Sequence, residues 1–389
     1  LVALLAALAT TQILGWGTTF YIPATLGDLA IAATFLSRPE VFGGITIMYV
    51  VGGFAAPVVG RRLDRHGARP LMLLGSALAA AALALMSTAT TLPLWALCWV
   101  VLELMMPMAL SNSAYVAVAQ AALARGIAPR RPIAILTLAT GLAISFAFPA
   151  AAWASARFGW QGTLLLFAAI NLGICLPLHA TVPCGAPPPR ETAAGAGLDR
   201  IAPRHAPPAM ALLAASFTLQ GFCSVALELH LLSLLRASGV GPELAVTLAA
   251  LSGPIRVGAR LLDMALARRF SALATGLGAM ALLPPALACL LLGGVGGALA
   301  FVLLWSVSMG ITTVARAALP LELFGPAGYG ARLGRLSLPI SLGQALGPLA
   351  FAGLLDASGA GAVAWLGLGF AVVAVAALAG VAALVRRGG

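Results

Sequence analysis

Five ionisable side chains stand inside long apolar runs: Glu103, Glu228, His230, Arg256 and Arg316. A charge at the centre of a bilayer costs roughly 2.5–3.5 kcal/mol on insertion scales, so such a group faces a partner or a water-filled cavity. Two chemistries follow. A guanidinium can grip a carboxylate through two parallel hydrogen bonds, and Arg256 or Arg316 can serve that purpose. A carboxyl group held away from water can carry a proton at neutral pH, which makes Glu228 and Glu103 the candidates for proton coupling. Each has a plainer reading as well. Arg256, seven residues before Asp263, can snorkel to the nearer membrane face or pair with Asp263 as part of a gate. Arg316 can pair with Glu322, and Glu103 with an arginine of a neighbouring helix. Glu228 follows Gln220 by eight residues, close to two helical turns, so the two share a face. His230 points about 200° away from Glu228 and reads as a rim or helix-contact residue.

The elements that must hold these groups are membrane helices. The chain is 61% hydrophobic and 8% charged, whereas soluble domains average about 25% charged. Apolar runs of bilayer-spanning length, about 20 residues, recur along the whole chain. No alternating short segments of the β-barrel kind are visible. Twelve spans are expected, at 2–24, 40–60, 70–88, 93–119, 132–156, 160–181, 208–235, 242–263, 271–291, 296–318, 334–355 and 361–385. The Pro-rich stretch 183–207 is the one long polar linker. It divides an N-terminal six-helix bundle, 1–182, from a C-terminal one, 208–389. The chain opens at Leu1 in what reads as the first helix, so its native start is expected to lie upstream.

The net charge of +11 comes from 22 basic residues, all arginine. In a membrane chain these orient helices and meet anionic headgroups, so nucleic acid is not the expected partner. With the N-terminus inside, seventeen arginines fall in cytoplasmic loops, linker and tail (61, 62, 65, 69, 125, 130, 131, 190, 200, 204, 260, 268, 269, 332, 335, 386 and 387). Only Arg38, Arg157 and Arg236 fall outside. This bias places both termini in the cytoplasm, and the lysine-free, Ala- and Gly-rich composition suits a bacterial cytoplasmic membrane. Five scattered cysteines without C-x-x-C spacing give neither a zinc site nor a disulfide framework. No cofactor or metal is expected.

Between the second and third spans lies Gly60-Arg61-Arg62-Leu63-Asp64-Arg65-His66-Gly67-Ala68-Arg69-Pro70, a short basic turn that makes an antiparallel hairpin. Its G-x-x-x-D-R-x-G-x-R pattern resembles the loop joining helices two and three in the major facilitator superfamily of transporters. Gly60, Asp64, Arg65, Gly67 and Arg69 all fall in place. Gly253 to Asp263, at the end of helix eight, reads as a degenerate copy of that turn, and Gln220 echoes Gln12. Six-plus-six repeats with the ligand site between them are how this class is built. The resemblance implies a twelve-helix, all-α fold of two pseudo-symmetric bundles working by alternating access. It also implies that Gly60, Asp64, Arg65, Gly67, Arg69 and Asp263 serve the gate.

The resemblance further favours helices one, four, seven and ten as cavity walls. That selects Gln12, Trp16, Thr19, Asn112, Tyr115 and Gln220, beside Arg256 and Arg316, as substrate contacts. Gln344 in helix eleven reads instead as a bond between helices. The motifs of drug exporters in helices four and five are absent. Phe158-Gly159-Trp160, together with Gln12, Gly15, Trp16 and Gly17 and the single arginine of helix eight, looks like the monocarboxylate and oxalate/formate group. The expected function is proton-coupled transport of a small organic anion by a monomer in the lipid bilayer. Export of drug-like compounds or metabolites, and uptake of a metal chelate, are the alternatives. An enzyme is disfavoured because the four histidines are scattered and no H-E-x-x-H run occurs. A primary pump is disfavoured because no G-x-x-x-x-G-K-[ST] loop occurs.

Overall fold

A computed structural model of the chain describes residues 1–34, 36–183, 201–267 and 269–388. Most of the expected linker, residues 184–200, lies outside them, as do Arg190, Arg200 and Arg268. The described residues form helices and no strands: α1 (Val2–Thr18), α2 (Ile22–Thr34), α3 (Arg38–His66), α4 (Ala68–Met86), α5 (Leu92–Ala109), α6 (Ser111–Leu123) and α7 (Arg130–Ile170). A π-helical turn, Asn171–Cys175, leads into α8 (Leu176–Ala180). Then come α9 (Ala206–Ala237), α10 (Pro242–Leu266), α11 (Ala272–Met280), α12 (Leu283–Leu292), α13 (Gly294–Phe324) and α14 (Tyr329–Gly388).

Ten helical stretches are long and apolar enough to cross a membrane. One of them, Arg130–Ala180, runs 51 residues, about 75 Å at ~1.5 Å per residue, more than twice the bilayer core of ~30 Å. It therefore contains two crossings, and they part at Gly159, whose φ of 65° and ψ of −168° only glycine adopts readily. Gly359, at φ 77° and ψ 179°, parts α14 into its two crossings in the same way. Counting Arg130–Ala180 twice and adding the shorter pair α1 and α2 brings the ten to twelve. The chain is an integral membrane protein with the twelve-helix, all-α fold expected of it.

Several boundaries differ from the sequence reading. The first span does not stop at 24: it breaks at Thr19–Tyr21 and runs on as α2 to Thr34. The fourth span breaks at Leu110, with φ −97° and ψ −147°. Its loosened carbonyls are taken up by side chains, Ala109 O by Gln12 Nε2 at 3.3 Å and Pro107 O by Ser113 Oγ at 2.8 Å. Inside a bilayer a freed backbone group needs such a partner. Helix eleven starts at Tyr329 rather than 334, so Arg332 and Arg335 belong to its first turns and not to a loop. Hydropathy missed that start because the turn is short of apolar residues.

The described residues fall into two compact units. The first holds those up to 183 together with Pro326–Leu338, the opening of α14. Its core centres on Trp95, with the rings of Trp99 and Trp160 at 6.1 and 6.0 Å. The second holds those from 201 to Gly325 and Pro339–Gly389. Its core includes Phe301 stacked flat on Trp305, 5.7 Å between centroids, and Phe222 edge-on to Phe351 and Phe370. Large apolar side chains such as Phe54, Trp153, Leu349 and Trp365 stay more than half exposed, as a lipid-facing surface permits.

Candidate transport site

In the first unit the basic turn is built around Asp64. Gly67 closes α3 at φ 77° and ψ 176°, and α4 begins at the next residue, so the hairpin turns on one glycine. The Asp64 carboxylate accepts the backbone N–H of Gly330 at 2.9 Å and of Ala331 at 2.7 Å. These donors belong to the first turn of α14, where backbone N–H groups lack helical partners and the helix dipole favours a negative charge. Arg332 adds a favourable charge nearby. Close approach of the helices makes the bonds possible. A Cβ on Gly60 would overlap the Gly330 carbonyl, and one on Gly334 would overlap the Ala56 carbonyl. Ala56-x-x-x-Gly60 on α3 thus meets Gly330-x-x-x-Gly334 on α14, the small-residue spacing that lets membrane helices touch backbone to backbone. Arg65 is exposed and Arg69 half-buried.

The polar residues of α1 and α6 make hydrogen bonds within the unit. Gln12 is fully buried, donating to Ala109 O and accepting from Trp16 Nε1 at 3.3 Å. Thr19 is buried and donates to Gly15 O at 2.6 Å. Thr18 accepts from Asn171 Nδ2 at 2.8 Å, which ties α1 to the π-helical turn. Asn112 donates to Ser337 Oγ at 3.4 Å, and Tyr115 is buried.

Glu103 is 5% exposed and points from α5 onto α3, where a Cβ on Gly52 would overlap its carboxylate. Four residues earlier on the same face, Trp99 sits over Gly44 in the same manner. Earlier still, Trp95 Nε1 donates to Val41 O at 3.3 Å. The expected arginine is not its partner: among the described residues no cation pairs with Glu103.

In the second unit Gln220 Nε2 donates to Ser224 Oγ at 2.9 Å and reaches Thr312 Oγ1 at 3.4 Å, joining α9 to α13. Glu228 accepts from Arg256 Nη1 at 2.9 Å, an ion pair between α9 and α10. Its partner was not foreseen: Arg256 pairs with Glu228 rather than Asp263, which lies buried further along α10. The Arg256 guanidinium also lies over Trp305 of α13, 4.6 Å from the ring centroid. Such a contact gives about 0.5–2 kcal/mol. Gly310 lets α10 come this close to α13, since a Cβ there would meet the Arg256 carbonyl at 2.7 Å. Glu228 and Gln220, expected on one face, engage different helices, because eight residues at ~100° each leave them ~80° apart. Glu322 caps α11, accepting from Ala272 N at 2.9 Å. Arg316 is half-buried near the far end of α13. His230 meets the Pro348 carbonyl at 3.2 Å, the helix contact expected of it.

Trp305, Ser337 and the α14 backbone at Gly330 and Ala331 were not identified from the sequence. The Gly330-x-x-x-Gly334 spacing was a usable signal for the last of these. Nothing in the apolar run around Trp305 marked it out. No group of metal-ligating side chains occurs among the described residues.

Twelve apolar crossings, a basic hairpin locked to a helix terminus, and an ion pair inside the spans are the features of a membrane transporter. The Major Facilitator Superfamily model matches residues 41–313, and the chain belongs to that superfamily. No curated protein matches the sequence. Among solved structures, the human organic anion transporter MFSD10 (TETRAN) is similar over 97% of this chain and 98% of its own, at 19% identity and a TM-score of 0.73. The E. coli fucose:proton symporter FucP covers 99% and 98% at 15% identity and 0.70. The proton:xylose symporter XylE bound to 6-bromo-6-deoxy-D-glucose covers 96% and 94% at 14% identity and 0.70. At these identities the likeness is one of fold.

Proposed function

We propose that this transporter moves a small organic anion, a carboxylate, by alternating access and with protons as the driving ion. The observation that carries the reading is Arg256, a guanidinium within the eighth crossing, 19% exposed and held against Trp305. Glu228 meets the cost of a cation at that depth, yet Nε and Nη2 meet no acceptor among the described residues, and the planar fork suits a carboxylate. Among the similar folds are one organic anion transporter and two proton:sugar symporters, so the fold is compatible with an anionic cargo and with proton drive. Glu228 and Glu103 are the carboxyl groups within the spans that can hold the proton. The bonds from Asp64 to α14 serve as a gate, made in one state of the cycle and broken in the other. Residues 1–182 and 208–389 act as the two bundles, joined by a cytoplasmic linker at 183–207. The protein works as a monomer in a bacterial cytoplasmic membrane with both termini inside.

The test is a thermal-stability screen of the purified protein against carboxylates, amino acids, sugars and metal chelates. A ligand at a hundred times its Kd stabilises by about 2.7 kcal/mol through linkage. Saturable stabilisation by carboxylates supports the reading. Stabilisation by neutral compounds alone removes it.

A further inference from the structure

We infer that Asn171 is a positioning residue of the transport cycle. From the π-helical turn of the sixth crossing it fixes the end of α1, so that the first crossing bends at Thr19–Tyr21 in step with the break in the fourth. This role belongs to alternating access itself and holds whatever the cargo.

The π-helical turn has a cause in the sequence. Pro177 has no N–H to give the Gly173 carbonyl, and its ring crowds that group. The helix widens just before it: the Leu176 N–H passes over Leu172 and reaches the Asn171 carbonyl, five residues back. Such turns are rare inside helices and gather at functional sites. The widened turn is anchored beyond its end, where His179 Nδ1 and Ser76 Oγ of α4 stand 2.7 Å apart, both buried. At its start the buried Asn171 amide donates to the Phe167 carbonyl at 2.9 Å and to Thr18 Oγ1 at 2.8 Å.

Thr18 is the last residue of α1. Its hydroxyl donates to the Leu14 carbonyl at 2.8 Å, and Thr19 Oγ1 donates to the Gly15 carbonyl at 2.6 Å, before Thr19 leaves the helix at φ −124° and ψ −68°. Hydroxyls that bond back in this way bend helices, and the Asn171 amide holds the first of the two in that rotamer. The break carries an edge-to-face ladder of half-buried rings, Trp16 to Phe20 at 4.9 Å and Phe20 to Tyr21 at 5.1 Å. Gln12, about 9 Å back along α1 at ~1.5 Å per residue, donates to the Ala109 carbonyl at the break of the fourth crossing. A Cβ on Gly15 would meet Leu110 Cδ2 at 2.6 Å at that same break. Irregular backbone within a bilayer persists only where its freed groups are satisfied again. Here irregularities in the first, fourth and sixth crossings are joined by two side-chain amides, one at each end of the helical stretch from Gln12 to Thr18. Because that stretch is held at both ends, a rotation of α1 at Thr18 carries Gln12 with it and reaches the fourth crossing.

The experiment is amide hydrogen–deuterium exchange of the purified full chain in detergent, read by mass spectrometry without substrate. Loss of one neutral hydrogen bond corresponds to roughly a 2- to 12-fold change in local opening. Asn171→Leu is expected to speed exchange by that factor over residues 14–25 and 106–114, and to leave α12 in the second unit unchanged. Thr18→Val removes the acceptor and keeps the shape, so it is expected to do the same, and the double variant to go no further. Unchanged exchange over 14–25, a rise there that does not extend to 106–114, or additive effects in the double variant each overturn the inference. Thr18→Val decides the matter if Asn171→Leu does not fold, since Asn171 then keeps its bond to Phe167. Transport supplies a second readout, in proteoliposomes loaded with whichever of acetate, lactate, benzoate and succinate stabilises the protein most. The maximal exchange rate of Asn171→Leu is expected to fall about fivefold with half-saturation within about twofold of wild type, the split that separates a moving part from a substrate contact. A raised half-saturation at an unchanged maximal rate overturns the positioning role. If none of these carboxylates binds while a neutral ligand does, the anion reading falls and amide exchange alone decides the role of Asn171.

Discussion

Asp64, at the end of α3, accepts the backbone N–H of Ala331 at 2.7 Å, and that of Gly330 at 2.9 Å, in the first turn of α14. A capping residue ordinarily belongs to the helix it caps; here it is supplied by another helix 266 or more positions away in sequence. Asn in place of Asp64 removes the charge and turns a donor toward a donor. Bonds to a charged group are worth about 1.5–3 kcal/mol, so Asp64→Asn is expected to slow exchange across proteoliposome membranes roughly tenfold or more while the protein still elutes as a single folded species. Exchange at the wild-type rate would end the gate role.

Two glycines on α14 make separate contacts, one within each unit. Gly334 faces Ala56 of α3, and Gly347 faces the Phe222 carbonyl of α9, whereas Gly369 has open space where a Cβ would go. Overpacking costs typically 1–3 kcal/mol. Gly334→Val and Gly347→Val are therefore expected to lower the melting temperature in detergent, and Gly369→Val is expected to leave it nearly unchanged. Equal behaviour of the three would refute the close packing of α14.

For the cation site, Arg256→Lys keeps the charge but loses the planar fork, and Trp305→Leu keeps apolar volume but loses the ring face. Each should weaken carboxylate binding. Trp305→Leu should do so by about 2- to 30-fold, the equivalent of a ~0.5–2 kcal/mol cation–π contact. A matched neutral analogue should be affected little by either. Equal losses for charged and neutral ligands, measured by titration, would make Arg256 a structural residue.

Glu103 is enclosed between α5 and α3, and no cation pairs with it among the described residues. Gln matches an uncharged carboxylic acid in shape and fits the same space. Glu103→Gln is expected to retain pH-driven accumulation within about twofold, consistent with a packing role and with Glu228 as the proton carrier. Loss of accumulation in Glu103→Gln, with exchange intact, would move the proton to Glu103.

The spans, the hairpin at Gly67 and the split at Gly159 could all be read from the chain, because bilayer length, hydropathy and backbone freedom are properties of consecutive residues. The role of Asp64 as a capper was half legible: its place at a helix end followed from the motif, but its donors required knowing that α14 starts at Tyr329. Partners between distant helices were not legible at all. Glu228 was expected to share a face with Gln220, and Arg256 to turn toward Asp263, because distance along one helix was the only measure at hand. Which side chain of α9 meets which of α10 and α13 depends on helix rotation and on how closely the axes approach. Here a single glycine, Gly310, sets that approach for α10 and α13. Hydropathy determined that these helices lie in the membrane. Packing across their seams decided that one carboxylate, one guanidinium and one indole would meet.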